Sequence, residues 1–507
     1  MQLAQLRAAG IEGVDGYLVE VEVSRITPVA GIGRTTVVGL PDAAVREAVE
    51  RITPALLTAG IPNRGIDAVT VNLAPADRRK EGPAFDLAIA LGMAATASEP
   101  PLTLPLDTLF LAELALDGSL RPVKGVLPAV LAARAAGLQR AVVAPGNVAE
   151  ATVVAGIAVY APPDLRACLD LVRSGFAGAR AATPEPVAEA VGGPCLSDVR
   201  GQDQAKHALV IAAAGAHNLL MLGPPGSGKT MLARRLPGIM PPLTLDEALE
   251  ATRVHSVAGL LPIGGGLLRE RPFRSPHHNV SGVGLVGGGS VPRPGDVSLA
   301  HLGCLFLDEL PEYSRTVLES LRQPLEDGFI TISRGGGRLR FPAQVSLIAA
   351  MNPCPCGYLG HPTRRCTDSQ DAIHRYRARI SGPLLDRIDL HLEVPAQRPE
   401  TLLAAGEGGE TSQQARQRVI AARERMLARQ GCPNARLDAR GLRTQLNATA
   451  EAMALLTQAM EELGLSARAG DRIRKVARTI ADLDGRAAVG IDDIAEAVGY
   501  RVLDRPQ

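Results

Sequence analysis

Short apolar runs such as "YLVEVEVSRI", "AVTVNLAP" and "AVVAPGN" alternate with stretches whose apolar residues recur every three or four positions, "AVREAVERITPALLTAG" and "PAVLAARAAG" among them. The first kind reads as strands and the second as helices, so residues 1–175 predict an α/β or α+β unit. "GFAGARAATPEPVAEAVGGP", Gly175 to Pro194, is rich in Ala, Gly and Pro, has no clear period, and reads as a linker over 176–194. Residues 195–396 again alternate helices and buried strands. After a second break at "AAGEGGETSQQ" the chain is helical in pattern, with "QARQRVIAARERMLARQ", "ATAEAMALLTQAMEELG", "DRIRKVARTIADLDG" and "IDDIAEAVGYRVL", giving a helical unit over 397–507. The stretch "GFITISRGGGRLRFPAQ" has a period of two, broken by three glycines, and reads as a β-hairpin with Arg334, Arg338 and Arg340 at or beside its tip.

A length of 507 residues calls for two to four domains, and 46% apolar residues suffice for their cores. With 3% aromatics and no tryptophan, those cores must be aliphatic. A formal charge of +1 means that any nucleic-acid surface is a local patch. The start lacks a basic segment followed by an apolar one, and no window reaches the 18 apolar residues of a membrane span; a soluble, cytoplasmic protein without a membrane partner is expected. Seven cysteines, scattered except for Cys354, Cys356 and Cys366, make no disulfide framework.

The chemistry concentrates in 195–396. "GPPGSGKT" (Gly223, Pro224, Pro225, Gly226, Ser227, Gly228, Lys229, Thr230) follows an apolar strand and opens a helix, the full pattern of a phosphate-binding loop. Its amides would wrap phosphate oxygens, Lys229 would neutralise the β/γ-phosphates of ATP, and Thr230 would ligate Mg²⁺. "CLFLDEL" ends a strand in two carboxylates: Asp308 to hold Mg²⁺, Glu309 to polarise the attacking water. "VSLIAAMNP" ends at Asn352, whose amide could orient that water. In "SGPLLDRIDLHLEVP", Arg387 lies between two aspartates. Alone it reads as a surface ion pair; after the other motifs it reads as an arginine reaching a neighbouring subunit's γ-phosphate, which implies a ring.

"DVRGQDQAKHAL", "GPPGSGKT", "FRSPHHNVSGVGLVGGGSVPRPGDVSLAHLGCLFLDELPE", "AAMNPCPCGY" and "SGPLLDRIDL" together resemble the ComM/YifB family of magnesium-chelatase-like AAA+ proteins. The resemblance implies an α/β fold with a Lon-protease-like N-terminal domain, an AAA+ core and a C-terminal helical lid. It implies that Arg387 is the arginine finger, Asn352 the first sensor, and Arg468 the second sensor on the lid, with Arg472 and Arg474 as neighbouring choices. It also implies a homo-hexamer that drives branch migration of DNA joints during natural transformation, with recombination proteins as partners. The arginine hairpin then falls where related helicases carry a pore-facing hairpin, and Arg334, Arg338 and Arg340 become sequence-independent contacts to branched or single-stranded DNA.

His277 and His278 are adjacent, a spacing that would point them apart on a strand, and have no third ligand nearby in sequence, so they read as structural or pore-loop residues rather than a metal site. In "CPCGYLGHPTRRC", Cys354, Cys356, His361 and Cys366 could form a Cys₃His zinc site. The family's pattern has a second cysteine pair, one of which here is Arg364, so relict thiols without Zn²⁺ are the alternative. "KEGPAFDLAIALG" and "DGSLRPVKGVLPAVLAARAAGLQRAVVAPGN" look like the Lon proteolytic domain, but Ala84 stands where that family has its serine and Leu127 where it has its lysine, with Lys124 out of register. No peptidase activity is expected; a role in ring assembly or in holding DNA fits by analogy. The alternative to a DNA motor is a chelatase-like ATPase remodelling a protein partner.

Overall fold

The computed structural model describes residues 2–26, 34–61, 67–100, 102–183, 193–262, 264–334, 337–397 and 409–504. Two compact units emerge: Met1–Ala188 with Ala248–Leu268, and Glu189–Glu247 with Arg269–Gln507. The sequence reading assigned 248–268 to the ATPase core. The part of the expected linker at 184–192 lies outside the described residues, as does 404–408 of the second break.

The first unit is built on a seven-stranded mixed sheet. Strands β1 (Gln2–Glu12) and β2 (Asp15–Ile26) form an antiparallel hairpin in register from Gln2↔Arg25 to Glu12↔Asp15. With β3 (Thr35–Val38), β4 (Ala68–Ala74), β5 (Thr108–Leu111), β6 (Arg140–Val143) and β7 (Ala158–Tyr160) the order is β3-β4-β2-β1-β5-β6-β7. Helix α1 (Ala43–Thr58) is capped by the Asp42 carboxylate. Helix α2 (Asp86–Ala97) is apolar all round and buried accordingly. At Gly92 a Cβ would lie 2.4 Å from Val23 Cγ2, so glycine sets how closely this helix approaches β2. Helix α3 is Val126–Ala135.

Glu150, buried in this unit, accepts from the Leu127 amide at 2.7 Å and from the Ser256 hydroxyl. Burial pushes its carboxyl pKa up, and those two donors oppose the shift. The Gly125 amide donates to the Ser256 carbonyl at 3.2 Å. Ser256 lies in Ala248–Leu268, so this segment belongs to the unit by hydrogen bonding as well as by packing. Ala84 and Leu127 both pack into the aliphatic core here.

The second unit carries a five-stranded parallel sheet. Its strands are β8 (Leu219–Leu222), β9 (Phe273–Arg274), β10 (Cys304–Leu307), β13 (Ser346–Met351) and β14 (Leu390–Glu393), in the order β9-β10-β13-β8-β14. The four longer strands are nearly continuous apolar runs because both faces are covered. One face packs on helices α4 (Asp203–Gly215), α5 (Ser412–Gln430), α7 (Ala467–Leu483) and α8 (Ile491–Gly499), through residues such as Leu209, Val419, Ile473, Val476 and Ile494. The helical C-terminus thus shares a core with the sheet. Its helices begin at side-chain caps: Thr411 with Gln414 for α5, Thr449 for α6 (Ala450–Leu463) and Ser466 for α7.

The other face packs on Leu285, Val297, Val317, Tyr376 and Leu384. From this side projects the hairpin expected from its period of two: β11 (Phe329–Arg334) and β12 (Gly337–Pro342), paired from Phe329↔Pro342 to Arg334↔Gly337.

At the start of β14, His391 is 1% exposed. Burial, helped by the charge of Arg501, pushes its pKa down to about 3. Unfolded histidine titrates near about 6.5, so below that pH the unfolded chain gains a proton that the folded chain refuses. Stability is therefore unaffected by this group above about pH 6.5 and falls as pH drops toward 3, by at most about 1.4 kcal/mol per pH unit. Both ring nitrogens of His391 lack a hydrogen-bond partner. We expect His391→Leu to flatten the acid side of the stability profile, measured as urea midpoints from pH 7.5 to 4.5, while leaving the neutral-pH midpoint nearly unchanged. An unchanged acid slope would assign it to other groups.

Candidate nucleotide site and its distant arginines

The phosphate-binding loop leaves the carboxyl end of β8. At Gly223 a Cβ would lie 2.1 Å from the Val394 carbonyl oxygen, so no side chain fits. Gly226 and Gly228 adopt φ of 78° and 91°, which L-residues with side chains rarely do. Lys229 opens the following helix, Lys229–Ala233, and its ammonium donates to the Gly223 and Pro224 carbonyls at 2.7 and 2.9 Å and to Asn352 Oδ1 at 3.3 Å. Burial lowers its pKa, while Asp308 and Glu309 oppose the shift. The Thr230 hydroxyl donates to Asp308 Oδ2 at 2.6 Å, and the other Asp308 oxygen accepts from the Glu309 amide at 3.0 Å.

This donor set fits a magnesium-bound triphosphate. A hydroxyl and a carboxylate meet as hard oxygen ligands, a buried cation lies at the loop, and Ser227 Oγ is buried without a partner. The expected residues Gly223 to Thr230, Asp308 and Asn352 are thus brought together. Glu309 sits beside them in a left-handed conformation at φ 52°, with its carboxylate 3.5 Å from His278 Nδ1. Gln202, which the sequence reading did not single out, is buried and ties the Ser227 carbonyl to the Pro395 carbonyl at 3.1 and 2.8 Å. Its left-handed backbone follows Gly201 directly, at the start of α4, and no pattern in the sequence marks it.

Arg387 lies elsewhere. Asn218 precedes β8 and Asp389 precedes β14, and these strands pair in parallel from Leu219↔Leu390 to Leu222↔Glu393. The Asn218 amide N–H donates to Asp389 Oδ2 at 3.0 Å, and its side chain donates to the Arg387 carbonyl at 2.8 Å. Arg387 therefore stands at the amino edge of the sheet, while the phosphate loop stands at the carboxyl edge. Four strand residues at about 3.3 Å each put these edges more than ~13 Å apart. The Arg387 guanidinium donates to the Pro383 carbonyl at 2.7 Å and pairs with Glu326, and its Nε is buried without a partner.

Arg468 is 73% exposed and reaches Asp386 at 3.5 Å, so it shares that edge. Arg472 is committed to the buried Asp389 at 3.0 Å, and Arg474 pairs with Asp471. Of the three arginines on α7, Arg468 is the one displayed to solvent.

The hairpin separates its faces cleanly. Ile330 and Phe341 are buried, whereas Ser333, Arg338 and Arg340 are exposed on the opposite face. The Arg340 guanidinium lies over the Phe329 ring, 3.6 Å from its centroid. Arg334 ends β11 opposite Gly337; the tip residues 335 and 336 lie outside the described residues.

Cys354, Cys356 and Cys366 gather with thiol–thiol distances of 3.4 to 3.6 Å. Asp368 is the fourth potential ligand, all four atoms lying within 4.8 Å of one another. The expected His361 is not part of this group. Its Nδ1 accepts from the Thr363 and Arg364 amides at 3.2 and 3.1 Å and is spent on the loop's own turn. The Asp368 carboxylate accepts from the Cys356 amide at 2.8 Å. Burial pushes the Cys354 thiol up to about 12, and the neighbouring Asp368 carboxylate adds to the shift. Gly357, in the same loop, is placed so that a Cβ would lie 2.6 Å from Pro225 Cδ, so the thiol loop buttresses the phosphate loop.

No helix among the described residues is long and apolar enough to cross a membrane. Family models match residues 195–402 (magnesium chelatase, subunit ChlI), 19–147 (subunit ChlI of Mg-chelatase) and 409–501 (magnesium chelatase, subunit ChlI C-terminal). Competence protein ComM of Haemophilus influenzae is 43% identical over 514 residues, covering 100% of this chain and 98% of that protein. Protein YifB of Escherichia coli is 42% identical over 506 residues, covering 100% and 98%. Lon protease 2 of Bacillus subtilis is 31% identical over 157 residues, 28% of this chain and 27% of its own length. The chain belongs to the ComM/YifB family of magnesium-chelatase-like proteins.

Proposed function

We propose that this protein is an ATP-hydrolysing AAA+ motor that assembles as a homo-hexameric ring and drives branch migration of DNA recombination joints, as in natural transformation, with recombination proteins as partners. One observation carries the reading: Arg387 and Arg468 stand at the sheet edge opposite their own phosphate loop, out of its reach. They become useful to hydrolysis when a neighbouring subunit presents its phosphate loop to them. The likeness to a competence protein over its whole length supports DNA as the substrate.

In this reading the loop amides and Lys229 bind the triphosphate, the ammonium exchanging its loop carbonyls for phosphate oxygens. Thr230 and Asp308 would hold Mg²⁺, which would supply positive charge against the phosphates. Glu309 takes the proton of the attacking water and Asn352 orients it. Arg387, with Arg468, stabilises the charge that develops across the subunit boundary. Arg338 and Arg340 contact DNA phosphates without reading sequence, and Arg334 extends the same strand pair toward the tip. The first unit is Lon-like at 1–175 and takes in 248–268, the remainder of 195–396 is the AAA+ core, and 397–507 forms a lid. The family's chelatase description supports a second reading, an ATPase that remodels a protein partner. Cys354, Cys356, Cys366 and Asp368 suit Zn²⁺, a soft-ligand site with one carboxylate.

Three outcomes test this. Lys229→Ala and Arg387→Ala proteins should each be inactive in ATP hydrolysis and regain activity when mixed, because mixing creates boundaries with one intact loop and one intact arginine; no recovery would remove the shared site. On a synthetic four-way junction the wild type should migrate the branch with ATP and Glu309→Gln should not. Replacing Arg338 and Arg340 with Ala should reduce the salt dependence of DNA binding by about two in log–log slope, and junction binding at wild-type strength would favour the protein-remodelling reading. For the metal, purified protein should carry about one zinc per chain by elemental analysis, lost in Cys366→Ser and reduced in Asp368→Ala; a metal-free wild type would mark the thiols as relicts.

A further inference from the structure

Three thiols in one loop are a reactive group as well as a ligand set. The other cysteines are placed differently. Cys168 and Cys304 are buried in aliphatic cores, Cys432 packs against the core of the second unit, and Cys195 meets the Ser197 hydroxyl and the Ser412 amide. Within the cluster, Cys354 is fully buried, whereas Cys356 and Cys366 are partly exposed. An oxidant arriving from solvent therefore meets Cys356 or Cys366 and finds the second thiol 3.6 Å from the first. A disulfide holds its sulfurs at about 2.05 Å, so the bond closes with a movement of about 1.5 Å. Cys354 and Cys356 lie one residue apart, too near along the chain to bridge without strain.

The turn between Cys356 and Cys366 is held by its own side chains. His361 Nδ1 accepts from the Thr363 and Arg364 amides, and the Arg364 guanidinium donates to the Tyr358 hydroxyl at 2.7 Å. Asp368 ties the two ends together, accepting from the Cys356 amide at 2.8 Å and lying 3.7 Å from Cys366 Sγ. Groups that a fold keeps at this range react as if at very high concentration.

The same loop is joined to the nucleotide site. It leaves β13 at Asn352, whose Oδ1 accepts from Lys229 at 3.3 Å, and Cys354 follows two residues later. Gly357, directly after Cys356, sits where a Cβ would lie 2.6 Å from Pro225 Cδ and 3.8 Å from Asn352 Cγ. Drawing Cys356 toward Cys366 therefore changes how the loop bears on Pro225 and Asn352.

We propose that Cys356 and Cys366 are an oxidation site for peroxides, and that the disulfide they form slows ATP turnover by displacing Pro225 and Asn352. This rests on the reading of the phosphate loop and Asn352 as an ATPase site. The Cys356 sulfur attacks one peroxide oxygen and breaks the O–O bond, giving a sulfenic acid and one water. The Cys366 sulfur then displaces the sulfenic oxygen as a second water and forms the S–S bond. Two thiols and one hydrogen peroxide thus give one disulfide and two waters, the sulfurs losing the two electrons that the peroxide gains. Where the sulfurs start as thiolates, two protons from solvent complete the waters. The bond consumes two of the four zinc donors, so metal held there is released.

The test uses the full chain, reduced and then exposed to hydrogen peroxide, with free thiols alkylated before peptide mapping by mass spectrometry. A Cys356–Cys366 bridge should appear, and steady-state ATP hydrolysis should fall roughly tenfold, within the range that a misplacement of about 1 Å imposes on a reaction. A dithiol reductant should restore the thiols and the rate together. Cys356→Ser and Cys366→Ser proteins are each compared with their own reduced rate, which peroxide should no longer lower. Thermal midpoints check folding, and if neither serine variant folds, the wild-type map and its reversal by the dithiol decide. Thiols that stay free under peroxide overturn the inference, as does a complete bridge at an unchanged rate or an equal fall in the serine variants. In each of those cases a reduced protein that hydrolyses ATP leaves the ATPase reading intact. A reduced protein that hydrolyses none overturns both.

Discussion

Asp389 is a carboxylate with almost no contact with water, and much of the second unit is arranged around it. Burial pushes its pKa up, but the Arg472 guanidinium, His217 and the Asn218 amide reverse that and hold it well below the usual carboxylate range. Through Asn218 it fixes the start of β8, the strand that delivers the phosphate loop. Through Arg472 it fastens α7 to the sheet, and the Asn218 side chain beside it holds the Arg387 carbonyl. A buried charge with several partners adds little net stability, but losing one partner costs about 3–5 kcal/mol because the remainder stays buried and unpaired. Such a group therefore tolerates one arrangement and penalises its neighbours heavily. The C-terminal helix α7 and the arginine edge are held to a common register.

That register gives the unit two chemically different rims. One carries the phosphate loop, Asp308, Glu309 and Asn352; the other carries Arg387, Asp386 and Arg468, together with the base of the arginine hairpin. A parallel sheet imposes this polarity, since loops at its carboxyl ends gather ligand-binding groups while the amino ends are free for other uses. The thiol loop adds a mechanical element to the first rim, because Gly357 bears on Pro225 and lies beside Asn352.

What was legible in the sequence was local. A phosphate loop is a contiguous string between an apolar strand and a helix, so Gly223 to Thr230 could be read directly, and the strand ends at Asp308 and Asn352 followed from their apolar runs. The hairpin was legible because a period of two survives in two strands of 6 residues each, and its buried Ile330 and Phe341 answer to it. The fourth member of the thiol cluster differs from the sequence expectation for a reason of chain geometry. His361 lies between the cysteines in sequence, but a turn consumes its Nδ1, while Asp368 is brought back by the loop's closure. The pairing of His278 with Glu309 depends on strand order, which no local pattern encodes. That a buried carboxylate claims Arg472 and leaves Arg468 to solvent is likewise set by packing and not by a local pattern.

The boundary between units was the least legible feature. Helix periodicity in Leu245–Ala258 is continuous, and nothing in it announces that the chain passes from one core to another at 247/248. This has a consequence for biosynthesis. The amino-terminal unit emerges from the ribosome first, yet Glu150 and the α3 turn wait for Ser256, which arrives only after the phosphate loop has been made. Its maturation is interleaved with that of its successor, and no single proteolytic cut yields it whole.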